Sequence, residues 1–387
     1  MIVFDPSPAN VAVPPGAIAS WVTAPAIVAA VITAVFTVAG ILFKDLLLKR
    51  LEEGRSDRKA KIAIYERYSN PLVTSAISLL HRLHEILFKE HRPIYLHKGP
   101  RLAPGADLHR SYLYYKRLST AYRIAAVLGW IRACRREFSY LRVAEPVKAQ
   151  DVDKAIESFE KALADGGWVE QERVVRLCEL WQLGSASSLK TGEGLELLGV
   201  KINNLLWDIL DESHLMKENA SALSDEMKQD LCRKTADCIA SFLGADAVIE
   251  ASMRRTWRDA FCIITMREAW IYRDWQSAIG DLMTRISELD ARSFEVIGYG
   301  EFEQFASSEK GPQRSALDRL LAVFDGLDLS IQDRFDCRPR QLRAVAEATA
   351  RLVLAIHRTQ GKSSIVPTVA VSLAGKMLPE PEKGRPR

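Results

Sequence analysis

Five of the seven histidines fall between His81 and His109. At about 100° of turn per residue, His81, His84 and His91 share one flank of a helix, beside an apolar stripe and near Glu85. Imidazoles one turn apart can share a transition metal. The order here is H-R-L-H-E rather than the H-E-x-x-H of zinc hydrolases. The competing reading is of histidines that cover a helix edge. A metal at His81, His84 and His91 would make the chain a tethered metal or small-ligand sensor, or an enzyme, and the residue types single out no particular cofactor.

A second constellation is basic and aromatic. Arg132, Arg135, Arg136 and Arg142 crowd one stretch, with Tyr112, Tyr114, Tyr115 and Tyr122 just before it. Such a face can hold anionic lipid headgroups or nucleic acid. The plainer alternative is a solvated face whose arginines pair with acids such as Glu137. Other patterns fail on spacing. Gly361-Lys362-Ser363 ends like a phosphate-binding loop, but Ile356 stands where that motif requires glycine. Ser187-Ser188-Leu189-Lys190 fits S-x-x-K without the partner motifs of the serine enzymes that use it. No nucleophile elbow and no dinucleotide-binding glycine pattern occurs. No catalytic motif is found and no catalytic residue is therefore assigned, which leans against an enzyme and leaves the histidine cluster as the alternative.

The elements that would carry these residues are set by one stretch near the N-terminus. Residues 17–43 contain no charged side chain. A bilayer core about 30 Å thick is spanned by about 20 apolar residues at 1.5 Å each. Trp21 to Phe43 is thus expected to be one transmembrane helix. It holds no Asp, Glu, Lys, Arg or His, so it reads as an anchor into the lipid bilayer rather than as part of a conduction path. Residues 1–16 are rich in proline and small residues and read as a disordered tail without the basic start of a signal peptide. Lys44, Lys49, Arg50, Arg55, Arg58, Lys59 and Lys61 follow the span closely. Positive residues within about 15–20 positions of a membrane helix stay on the cytoplasmic side. The expected topology is single-pass, with the N-terminus outside and the large domain cytoplasmic.

Composition fits a folded domain behind that anchor: 48% apolar and 26% charged. The 49 acidic side chains, less Asp5, leave 48 beyond the anchor against 53 basic ones, a net of +5. So thin an excess over that length does not call for nucleic acid. The six cysteines form no C-x-x-C pair, the pattern of free, mostly buried thiols in a reducing compartment.

Periodicity is helical throughout, and the expected fold class is all-α: an N-terminal transmembrane helix followed by a multi-helix cytoplasmic bundle. Residues 44–183 form a juxtamembrane helix and a first helical region, 195–361 a second region packed on it, and 362–387 a disordered tail. The linker 184–194 (GSASSLKTGEG) reads as an exposed loop or boundary. Arg254 to Leu289 reads as one dense helix, apolar on two sides. Within it, Glu268 falls on the apolar seam between Ile264 and Ile271 and calls for a cationic partner such as an arginine. Residues 290–312 read as irregular and aromatic, followed by helices at 314–324 and 339–357. No strand alternation stands out.

Three segments, RLSTAYRIAAVLGWIRACRREFSYL (117–141), WQSAIGDLM (275–283) and VIGYGEFEQF (296–305), resemble a family of uncharacterised bacterial proteins with one membrane helix and a helical cytoplasmic domain. The resemblance covers most of 44–357. It implies a topology and a fold class, and no catalytic residues; the expected location is a bacterial inner membrane. Within its segments Arg135, Arg136, Glu137, Gln276, Gly280 and Asp281 are the positions to test, with Arg132 beside them. The alternative for all of them is interhelical packing and salt bridging. The leading expectation is a scaffold, sensor or effector whose cytoplasmic domain binds a protein partner or forms a homo-oligomer.

Overall fold

The computed structural model describes residues 67–379, apart from 89–111, 142–149, 184–191, 216, 247, 249, 289–292, 309–311 and 330–332. All belong to one compact unit, Glu66–Arg387. The expected tail 1–16, anchor 17–43 and juxtamembrane residues 44–66 lie outside the described residues. Among the described residues no helix is long and apolar enough to cross a membrane.

The unit is mostly helical. A helix over 67–87 (α1) is followed by α2 Tyr112–Leu141, α3 Gln150–Ala164, α4 Gly167–Trp181, α5 Gly192–Glu212, α6 Asp225–Leu243 and α7 Glu250–Ile264. Then come α8 Arg273–Met283, β1 Thr284–Ile286, β2 Phe294–Val296, α9 Tyr299–Ser307, α10 Pro312–Ala322, α11 Arg338–Gln360 and α12 Thr368–Met377. Several ends follow from local chemistry. Ser224 Oγ caps α6 by accepting from the Met227 amide at 3.2 Å, and Gly244 closes that helix in the left-handed region at φ 61°. Pro339 lies in the first turn of α11, and Gly361, at φ 59°, follows its last residue.

Helices group by core rather than by chain order. Helices α4 to α7 pack in a ring, α4 on α5, α5 on α6, α6 on α7 and α7 back on α4. Their shared core includes Val174, Leu177, Ile202, Leu206, Ile239 and Ile264. Of the remaining elements, α2 packs on α8, α9, α10 and β2, while α11 packs on α3 and α12. Helices α4 and α5, on either side of the 184–194 linker, share one core.

Three expectations are corrected. The stretch 254–289 is not one helix. It breaks after Ile264 and crosses as extended chain before α8 starts. The β-branched run Ile263-Ile264-Thr265 weakens the helix there, and beyond Met266 the crossing finds backbone partners at a distance. The Arg267 amide donates to Phe335 O at 2.8 Å, and Arg267 O accepts from the Cys337 amide at 2.9 Å. The Ile271 amide donates to Leu163 O at 2.9 Å. Gln341 Nε2 donates to Ala269 O at 2.8 Å and Gln276 Nε2 to Ile271 O at 2.6 Å. Second, β1 and β2 pair antiparallel, Thr284 opposite Val296 and Ile286 opposite Phe294, where no strand was expected. Third, α12 lies inside the expected tail. Pro367 precedes it, and Ala370, Ala374 and Met377 recur at helical spacing on its buried side.

Candidate functional site

The positions singled out in α2 and α8 meet where those helices touch. The contact needs glycine on both sides. A Cβ on Gly280 would lie 2.9 Å from Arg132 Cβ and 3.1 Å from Leu128 O, and one on Gly129 would lie 2.8 Å from Met283 Cβ. With the backbones this close, Asp281 sits among the arginines of α2. Arg132 binds it through two nitrogens at 2.5 and 3.1 Å, and Arg136 adds a third contact at 2.9 Å. One residue over, the planar fork of Arg135 grips Glu160 of α3 at 2.5 and 2.7 Å. That hydrogen bond holds the Arg135 guanidinium above its ordinary range against the opposing effect of burial. Gln276 is buried and donates to Glu160 O at 2.8 Å. Glu137 is buried and accepts from the Tyr68 hydroxyl at 3.5 Å.

Chemically this arrangement is a lock between three helices. The guanidinium groups of Arg132, Arg135 and Arg136 each pair with a carboxylate of the same chain and remain a third to a half exposed. Arg142 lies outside the described residues. Of the tyrosines, Tyr122 packs edge-on to Tyr299 and Phe302 at centroid distances of 5.6 and 5.5 Å, whereas Tyr115 is exposed.

The extended crossing carries the second charge cluster. Arg173 of α4 has 1% of its side chain exposed and pairs with Glu170 and, at 3.4 Å, with Glu268. Glu268 also accepts from Trp270 Nε1 at 2.9 Å. The arginine partner expected for Glu268 is thus present, although Glu268 sits on extended chain and not on a helix. Trp270 stands edge-on to Trp168 at 6.0 Å, and the Arg340 guanidinium lies 3.9 Å from the centroid of the Trp168 ring. Gly166 leaves room for this stack, since a Cβ there would come within 2.8 Å of Trp270 Nε1.

The histidines are not gathered by the described structure. His81 is exposed, His84 stacks on Phe88 at 6.0 Å, and Glu85 faces Arg82 at 3.9 Å. His91 lies outside the described residues. Among the described residues no group of three or more His, Cys, Asp or Glu could hold a metal ion. The cysteines are free. Burial pushes the thiols of Cys134, Cys232 and Cys337 up to about 12, and that of Cys178 to about 11. Such groups stay protonated and are poor nucleophiles near neutral pH.

One feature escaped the reading of the sequence. Helix α5 is apolar on two sides. Leu198, Ile202, Leu206 and Ile209 fill the core of the four-helix ring. Leu197 and Val200, each 54% exposed, and Trp207, 36% exposed, stand outside it. The signal was available: within 195–210 apolar residues exceed what one buried stripe of a surface helix requires.

The resemblance seen in 117–141, 275–283 and 296–305 shares with the structure its mostly helical character. No protein-family model, no curated protein and no solved structure matches the chain.

Proposed function

We propose that this is a single-pass, membrane-anchored protein whose helical domain works in the cytoplasm as an interaction module, binding a protein partner or a second copy of itself. The observation that carries this reading is the second apolar face of α5, which puts Leu197, Val200 and Trp207 in water. Single exposed apolar residues need no explanation, but several on one helix face mark an interaction site. The anchor is supported by the uncharged run 17–43, and the orientation by the lysines and arginines that follow it.

The test is a crosslinking pull-down from native membranes with a tag at the C-terminus, read by mass spectrometry. A reproducible partner, or crosslinks between two copies, supports the reading. A chain that stays uncrosslinked and recovers nothing above an untagged control refutes it. Extraction of the same membranes at alkaline pH tests the anchor separately: an integral protein stays in the pellet, and release into the supernatant refutes the membrane part.

A further inference from the structure

The exposed residues of α5 have a defined spacing. Leu197, Val200, Asn204 and Trp207 follow one another at intervals of three, four and three, and Asn204 is exposed like its neighbours. At about 100° per residue they fall within an arc of about 80°. This is the spacing of an a–d–a–d coiled-coil seam, with asparagine at one central a position, where such a residue fixes register and strand number at some cost in stability. The flanking positions are set by the same count. Glu196 takes g, and Lys201 takes e of the next heptad. Both are exposed.

The geometry points to α5 as the seam of a homodimer, in which two copies of this helix pair parallel and in register. This deepens the interaction reading and rests on it. Charge selects both occupant and direction. In a parallel pair, each Glu196 faces Lys201 of the other copy, so the contact forms twice by symmetry. In an antiparallel pair that sets Leu197 against Trp207, the two Lys201 side chains meet, which is repulsive. Asn204 in the parallel pair meets its own counterpart, where the two amides can hydrogen-bond. The seam covers only two heptads, well short of the roughly 800 Å² per partner of a stable interface. Two chains anchored in one bilayer meet at a raised effective concentration, which compensates for the small area.

The experiment uses the full-length protein in its native membranes. Asn204→Cys places a thiol on the seam, and Asp237→Cys places one on an exposed position of α6. Mild oxidation is expected to give a disulfide-linked dimer for Asn204→Cys and none for Asp237→Cys or the unaltered chain. Adding Glu196→Lys or Lys201→Glu to Asn204→Cys should lower the dimer yield about fivefold, because two weak attractions become two repulsions. The double exchange Glu196→Lys with Lys201→Glu should restore it. These residues are exposed, so an unchanged melting temperature certifies that each variant is folded. Two outcomes overturn the proposal: no Asn204→Cys dimer, or a double exchange that yields no more dimer than the single ones. If either occurs while the pull-down still recovers a partner or self-crosslinks, the α5 seam is wrong and the interaction reading stands. If the pull-down is also empty, both fall.

Discussion

Replacing Glu268 by glutamine tests whether the buried arginine cluster holds the extended crossing in place. The substitution keeps the shape of the side chain and an oxygen for Trp270 Nε1, and removes only the charge. Arg173, with 1% of its side chain exposed, then loses one of its two carboxylates and keeps Glu170, which is about one quarter exposed. Removing the sole partner of a buried charge costs about 3–5 kcal/mol. With the second carboxylate still present, about half of that, ~2 kcal/mol, is expected here. In a unit of this length such a loss lowers the melting temperature by about 4 °C. Thermal unfolding followed by tryptophan fluorescence is the natural assay, because Trp168 and Trp270 stack beside the pair. Arg173→Met completes a double-mutant cycle with Glu268→Gln. The two losses should be non-additive by about 1 kcal/mol or more, since each removes the same contact. If Glu268→Gln melts with the parent chain, or if the two losses simply add, Glu268 does not neutralise Arg173 and the argument fails.

Two other perturbations probe the lock and the core. Gly280→Val should cost about 1–3 kcal/mol through overpacking against Arg132 and Leu128, seen as a lower urea midpoint with an unchanged slope; a midpoint equal to that of the parent would mean that the α2–α8 contact tolerates a side chain. The buried thiols predict alkaline sensitivity. Their folded pKa values of about 11 to 12 lie above the ordinary 9.0, so the unfolded chain releases these protons first. The stability they confer is complete below pH 9 and is lost as the pH rises through 11 to 12. Each thiol contributes a slope of about 1.4 kcal/mol per pH unit within that window. Urea unfolding at about pH 8 and about pH 10.5 should show the decline, and Cys232→Ala should make it shallower. A slope unaltered by that substitution would contradict the assignment.

Much of the helical framework was legible because its signals are local. Ser224 before an apolar run and Gly244 after it mark α6, and Pro339 and Gly361 bracket α11. The break at 265–272 was not legible, because Phe335, Leu163 and Gln341, all distant in sequence, supply backbone partners for Arg267, Ile271 and Ala269. Periodicity kept running across the break: Ile264 and Ile271 are buried on both sides of it, which mimics a continuous helix. The hairpin was hidden by its length, since three residues cannot display alternation. Helix α12 could have been read from Ala370, Ala374 and Met377, but the proline-rich and charged residues after it drew the boundary too early. At the α2–α8 junction, sequence reading picked out the residues that meet and left open what they do. Reach decides that question: Arg132 and Asp281 are 149 positions apart, and only the fold shows that each neutralises the other. The α5 seam was missed for the opposite reason, because two apolar faces on one helix look like a single thoroughly buried one.

The pairing of α3 with α11 has a consequence for how the protein is made. Gln341 donates to Leu163 O across 178 positions, and Gln360 to Asn70 across 290. During synthesis α3 therefore waits, its apolar face open, until α11 has been made. Helices α4 to α7 have no such delay, since each packs on a neighbour in sequence. The ring is thus able to assemble on the ribosome before α3 has met its partner. A premature stop before residue 338 would leave a chain with a finished middle and an orphaned beginning, a species fit for proteolysis rather than for service.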